Sequence, residues 1–183
     1  MKDPLIICDI DGVICDSSVR LEKYADTAAL ERGDYEAFRA SMALYNSSTE
    51  GDVVITPGIS LLHQLYYIYE FPHIVFLTMR GEIGRGPTLS WLQENIDFIE
   101  VDDSNLIMRP EIHWHPGMVK FNAVEHKRQE TKLLSETYDV VMALDDRPDI
   151  CAMYAEMGIN VLTVTWAGVD CCTAVGDKRV GSK

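Results

Sequence analysis

The sequence predicts an α/β protein: a doubly wound parallel sheet with a small helical insertion after the first strand. Three observations predict it. Short apolar runs, often β-branched, recur without polar alternation, the pattern of strands covered on both faces. Helical patterns of ten to twenty residues separate most of these runs. Acids, a hydroxyl and an arginine cluster just past the run ends, where parallel sheets carry their sites.

The first run, Leu5–Ile10, leads into "DIDG". A polar, helical stretch follows at about 17–57, "RLEKYADTAALERGDYEAFRASMALY" and then "NSSTEGD". It breaks the strand–helix alternation and reads as the insertion, with Tyr24, Leu30, Tyr35 and Phe38 expected to pack it down. "PGISLLHQLYYIYE" starts a helix with Pro57 in its first turn and sets Ile59, Leu62, Leu65 and Tyr66 on one side. The second strand is His73–Thr78, followed by a helix in "GPTLSWLQENI". A weaker third strand is expected at Ser104–Met108. A long helical pattern runs from Met118 to about Thr137, then the fourth strand, Asp139–Leu144. "RPDICAMYAEMG" gives a helix that Pro148 opens and Gly158 closes, and Ile159–Val164 is the last strand. No repeat or low-complexity segment divides the chain, so all 183 residues are expected to form one domain.

Composition narrows the function. Sixteen Lys and Arg against 29 Asp and Glu give a net charge of −13, which argues against broad adhesion to nucleic acid or anionic membrane. The same excess of acid suits a protein that holds Mg²⁺ beside a small basic pocket. The five cysteines are odd in number and lack CxxC spacing, so a reducing compartment is expected. The apolar run at the N-terminus is short and interrupted by Asp9, unlike a signal peptide, and no stretch approaches a membrane span. The sequence therefore reads as cytoplasmic and soluble, with no membrane partner.

The acids then carry the chemistry. Asp9 and Asp11 are two apart, so in extended backbone both address one pocket, and Gly12 lets the chain turn away. Thr78 and Arg80 follow the second strand and Asp145-Asp146-Arg147 the fourth; Lys120, Lys127 and Lys132 lie on the helix between. Carboxylates from two strands suit Mg²⁺. One carboxylate attacking phosphorus gives an aspartyl-phosphate; the other can protonate the leaving oxygen and then activate water. Thr78 and a lysine would hold the phosphoryl oxygens.

The stretches "ICDIDGV", "VFLTMR", "HKRQETKLL" and "ALDDRPDICAMYAEMGINVLTV" resemble, in order, the four motifs of the haloacid dehalogenase superfamily of phosphotransferases. The likeness is closer to the 3′-phosphatase domain of phage-type polynucleotide kinase/phosphatases, and "GRGPTLSWLQENI…LIMRP" adds to it. It covers nearly the whole chain after Pro4, most weakly from Ser17 to Pro57 and past Trp166. The resemblance implies that superfamily's Rossmannoid sheet and a Mg²⁺-dependent phosphatase. It implies Asp9 as nucleophile, Asp11 as general acid and base, and Thr78 and Lys127 as phosphate holders, with Lys120 the other lysine in range. Metal would fall to Asp9, the Asp11 carbonyl, Asp145 and Asp146, and substrate contact to Arg80 and Gly12. The substrate would be a nucleic-acid 3′-phosphate end or a nucleotide. Met79 stands where that family usually has Gly, and no GxxxxGK[ST] kinase motif occurs.

Other readings compete. A nucleoside 5′-monophosphate phosphatase, or a phosphate-binding module without turnover, would use the same residues. An EF-hand fails because "DIDGVICD" lacks the third ligand before Gly12 and a closing glutamate. A response-regulator receiver has its paired acids early and its lysine last, the reverse of this order. "HWHP" (His113, Trp114, His115) lacks Cys or Glu at zinc spacing and reads as a loop or a substrate contact. Arg80 is either a phosphate contact or an ion-pair partner of Asp145 or Asp146. Tyr66, Tyr67, Tyr69, Trp91 and Trp166 read as packing.

Overall fold

β1 (Pro4–Cys8) is the central strand of a five-stranded sheet in the computed structural model, which describes residues 2–110 and 122–166. After β1 the chain forms a two-residue strand β2 (Cys15–Asp16) and three helices, α1 (Ser18–Tyr24), α2 (Thr27–Glu31) and α3 (Tyr35–Asn46). It returns through β3 (Val53–Val54), antiparallel to β2. Then follow α4 (Thr56–Ile68), β4 (His73–Gly81), α5 (Arg85–Asn95), β5 (Leu106–Arg109), α6 (Ala123–Thr137), β6 (Asp139–Asp145), α7 (Pro148–Glu156) and β7 (Val161–Thr163). The sheet order is β5-β4-β1-β6-β7, and every neighbouring pair is parallel.

From β1 the chain steps outward to β4 and β5, then crosses back to β6 on the far side of β1. That reversal opens a crevice beyond the C-terminal ends of β1 and β6, where doubly wound sheets take their ligands. β1 has the alternation such a position requires. Ile6 and Cys8 face a core shared with Leu62 of α4 and Leu92 of α5, whereas Leu5 and Ile7 face Ala123 of α6 and Met153 of α7. All four β1 side chains are fully buried, each worth about 1.5–3 kcal/mol of transfer free energy for an Ile or Leu.

Local sequence explains the boundaries. β1 ends at Cys8, two residues short of the expected Ile10, because the chain coils into a turn in which Ile14 and Cys15 donate their N–H groups to the Ile10 carbonyl. Ser104 and Asn105, expected at the start of β5, instead form one 3-10 turn capped by Asp102. Asn122 caps α6, accepting from the N–H groups of Val124 and Glu125. The expected helix start at Met118 lies outside the described residues, as do Lys120, His113–His115 and the Cys171-Cys172 pair. Met79 does not open a loop: β4 runs on to Gly81, with a register shift against β5 between Leu77 and Gly81.

The stretch between β2 and β3 is helical, with Asp26 capping α2 and Asp34 capping α3. Its aromatic and apolar side chains do less packing than expected: Tyr35 and Leu30 are exposed, and α3 has no fully buried residue. Polar contacts hold it instead, among them Tyr45 Oη to Ser17 Oγ at 3.2 Å. No described helix is long and apolar enough to cross a membrane.

Candidate active site

The crevice beyond β1 and β6 holds two groups of charges, one around each of the paired acids. Asp9 leaves β1 directly, its N–H bonded to the Leu144 carbonyl of β6 at 2.9 Å, so the sheet itself places it beside Asp145. Its Oδ2 lies 2.8 Å from Nζ of Lys127, which also meets Asp145 Oδ2 at 2.7 Å. Asp145 is fully buried, and its Oδ1 accepts from the Arg147 N–H at 3.0 Å. Lys127 sits one turn into α6, 1 % exposed, with its stem inside the protein.

Asp9, Asp145 and Asp146 offer carboxylate oxygens all within 4.8 Å of one another. Three hard oxygen donors this close fit a divalent cation of the Mg²⁺ type. Burial pushes Asp9 up to about 7, and Asp145 and Asp146 push the same way against the pull of Lys127. Desolvation would lower Lys127, but its two carboxylates outweigh that and hold it well above its usual range. Among the described residues three acids gather around this lysine, a charge balance that favours a bound cation or a proton.

Asp11 belongs to the other group. Arg80 clamps it, Nε to Oδ2 at 3.0 Å and Nη2 to Oδ1 at 2.6 Å, and Arg20 adds Nη2 to Oδ1 at 3.1 Å. Burial alone would raise Asp11, but the two guanidiniums hold it below its usual range. The Asp11 carboxylate is therefore not among the clustered metal-capable oxygens. The two acids also do not share one counterion, as the spacing suggested; the turn after Ile10 sends them to different cations.

Arg80 corrects an expectation. Its side chain is 1 % exposed and committed to Asp11 and to Asp52, whose Oδ2 lies 2.8 Å away. Cys15 Sγ also accepts from it at 3.2 Å. A guanidinium this occupied orients protein acids; it does not face an open phosphate pocket, and its partners are neither Asp145 nor Asp146. Gly12 likewise has a conformational reason: its φ is +80°, and a Cβ there would lie 2.3 Å from Asp146 Oδ2. It gives Asp146 room beside Asp9. Thr78 is buried at the end of the apolar part of β4, its Oγ1 accepting from the Arg80 N–H at 3.2 Å.

Three participants escaped the sequence reading: Arg20, Tyr45 and Asp52. Arg20 lies over the Tyr45 ring at 4.3 Å and donates to the Ser48 carbonyl at 2.8 Å. Nothing local distinguishes it from the insertion's other cations. Trp91, read as packing, is buried with Arg80 6.0 Å above its ring.

Comparison with solved structures places this architecture. Over 90 % of its length the chain superposes on 47 % of a chain in the Pnkp1/Rnl/Hen1 complex, with a TM-score of 0.57 and 20 % identity. A Pnkp1/Rnl/Hen1 RNA repair complex gives 0.54 at 20 % identity, over 43 % of that chain. A haloacid dehalogenase-like family hydrolase from Streptococcus pneumoniae gives 0.56 at 14 % identity, over 88 % of this chain and 84 % of that one. The chain thus has the fold of the haloacid dehalogenase-like hydrolases. It spans about half the length of the first two chains it matches. Comparisons with protein-family models and with curated proteins find no match.

Proposed function

We propose that this chain is a Mg²⁺-dependent phosphomonoester hydrolase working through an aspartyl-phosphate. The observation that carries the reading is Asp9 at the crevice edge, beside a buried lysine and two further acids able to share a cation. Asp9, Asp145 and Asp146 would hold Mg²⁺, which when bound withdraws charge from the phosphoryl oxygens and keeps Asp9 ionised.

In the first step an Asp9 carboxylate oxygen attacks phosphorus, the P–O bond to the leaving alcohol breaks, and Asp11 relays to that oxygen the proton that a phosphate monoanion brings with it. In the second, Asp11 takes a proton from water, the water oxygen attacks phosphorus, and the bond to Asp9 breaks, releasing phosphate. Lys127 offsets negative charge throughout, and Thr78 supplies a hydroxyl to the phosphoryl group. The clamp on Asp11 favours its carboxylate, the form the second step uses.

The substrate we favour is a nucleic-acid 3′-phosphate end or a nucleotide. The sequence resemblance supports it, as does the structural likeness to chains of an RNA repair complex. The charge distribution supports a grip confined to the terminal nucleotide. Arg80 and Arg20 are spent on acids, Arg85 is paired with Glu82 and Asp103, and the net charge is −13. A long polyanion gains little on such a surface.

The test is phosphate release from a panel of phosphomonoesters, with Mg²⁺ and with chelator. Nucleoside 3′-monophosphates and short 3′-phosphorylated oligonucleotides are expected to react with similar kcat/KM, well ahead of sugar phosphates. Preference for 5′-monophosphates would make the protein a nucleotidase. Turnover undiminished by EDTA would defeat the metal-assisted mechanism.

A further inference from the structure

Asp52 lies in the short link between α3 and β3, and its side chain has no solvent exposure. Its Oδ1 is 2.9 Å from Arg20 Nε and its Oδ2 is 2.8 Å from Arg80 Nη2. These are the two guanidiniums that hold Asp11. Two carboxylates and two guanidiniums therefore form one closed cluster, in which Asp11 alone keeps measurable exposure, 18 %.

As a stability device the cluster is poor. Arg20 Nε and both Asp52 oxygens sit at ion-pair distance yet make no aligned hydrogen bond. A buried ion pair with imperfect geometry often does no better than well-packed apolar side chains. Its geometric effect is larger. Arg20 and Arg80 repel each other, and Asp11 alone would have to hold both. Asp52 supplies the second negative charge, so both guanidiniums can rest against one small carboxylate on a turn.

The connection also crosses the fold. Asp52 and Arg20 belong to the helical stretch between β2 and β3, whereas Asp11 and Arg80 belong to the sheet's C-terminal edge. β2 pairs with β3 through Asp16 and Val53, which fixes where Asp52 enters the cluster.

We propose that Asp52 is a positioning residue for the reaction: by holding the two arginines that hold Asp11, it fixes the direction of the Asp11 carboxylate and makes the insertion part of the catalytic frame. The proposal rests on the assignment of Asp11 as acid and base given above. Displacing such a group by about 1 Å costs on the order of 10²-fold in rate.

The experiment compares two leaving groups. 4-Nitrophenolate departs without a proton, whereas the alcohol of a nucleoside 3′-monophosphate needs one. Asp52→Asn is expected to lower kcat on the alkyl ester by about 10²-fold and on the aryl ester by less than about 10-fold, with KM nearly unchanged. Asp52→Glu keeps the charge but moves it, so a smaller loss with the same skew is expected. Leu62→Ala, a core truncation outside the cluster, serves as the purely structural control and should lower both esters together. Equal losses on the two esters in the Asp52 variants, tracking the fall in Tm as in that control, would overturn the proposal. Unchanged kinetics would overturn it too. If Asp52→Asn does not fold, Asp52→Glu decides by the presence or absence of the skew. Asp11→Asn separates the two levels. If it shows the skew and the Asp52 variants do not, the clamp alone falls; if it shows none, the role given to Asp11 falls and the proposal with it.

Discussion

Asp9 and Asp11 are two residues apart in the chain and live in opposite electrostatic worlds. Around Asp9, Asp145 and Asp146 share its space with Lys127, and its pKa is pushed up to about 7 by burial. Around Asp11, guanidiniums match acids, and Arg80 with Arg20 holds it below its usual range. The difference teaches that a DxD motif need not be one pocket with one counterion. A single turn, with Gly12 at φ +80°, divides it into a half that gathers acids around a lysine and a half in which two guanidiniums face two acids.

Removing each acid is the largest perturbation of that contrast. Asp9→Asn should abolish both turnover and covalent phosphate labelling, because it removes the carboxylate that attacks phosphorus in the proposed mechanism. Asp11→Asn should slow turnover by about 10²–10⁴-fold while still permitting labelling by an activated aryl phosphate. Normal turnover by Asp9→Asn would place the nucleophile elsewhere.

Stability should separate the halves next. Lys127→Met removes the cation that bridges two buried carboxylates, and breaking such a pair costs about 3–5 kcal/mol. Because the same acids can share a cation, Mg²⁺ should recover part of that loss, seen as a larger Mg²⁺-induced rise in Tm than in the wild type. A Tm indifferent to Mg²⁺ in both proteins would mean that the acids do not bind it.

The pH dependence of the metal-free protein should carry opposite signs for the two acids. Asp9 keeps its proton in the folded state up to about 7, well above its ordinary 3.8. Its contribution is therefore complete below the ordinary carboxylate range and lost as pH rises through about 7. Asp11 is held low, so its contribution is present above its ordinary value and lost as pH falls through the lowered one. Melting curves from pH 3 to 8 should show a decline between about 4 and 7 that flattens in Asp9→Asn, and Mg²⁺ affinity by calorimetry should tighten over the same interval. The smallest effect is expected for Tyr45→Phe. It removes one hydroxyl that contacts Arg20 at 3.3 Å and Ser17 at 3.2 Å, and should cost about 0.5–1.5 kcal/mol in denaturant titrations.

The Asp9 half was legible in the sequence and most of the Asp11 half was not, for a physical reason. Asp9, Lys127, Asp145 and Asp146 sit at strand ends or on the helix between them, so hydrophobic periodicity locates them before any coordinates exist. Strand order was legible only as a class, yet that was enough to bring β1 and β6 to one crevice. Arg20, Tyr45 and Asp52 come from a stretch with little apolar patterning, and long-range ion pairing decides their direction. Arg80 was found but given the wrong neighbour, because spacing cannot tell whether a guanidinium meets phosphate or another part of its own chain. Tyr35, expected to pack, is exposed because polar contacts hold α3 down instead.

β1 is the central strand of the sheet, and both of its neighbours come later in the chain. During synthesis its apolar side chains must wait for β4, and Asp9 must wait for Lys127 and for the Leu144 carbonyl. The turn that carries Asp11 waits for a still later residue: Trp166 Nε1 donates to the Val13 carbonyl at 3.0 Å across 153 residues. A nascent chain halted before α6 would expose a sticky, half-paired strand ending in carboxylates with no lysine to meet them. Folding dominated by contacts this distant is slow, and its intermediates invite aggregation or chaperone capture. The proposed site is assembled only once α6 and β6 have been made, so a fragment stalled before them should fold poorly and release no phosphate.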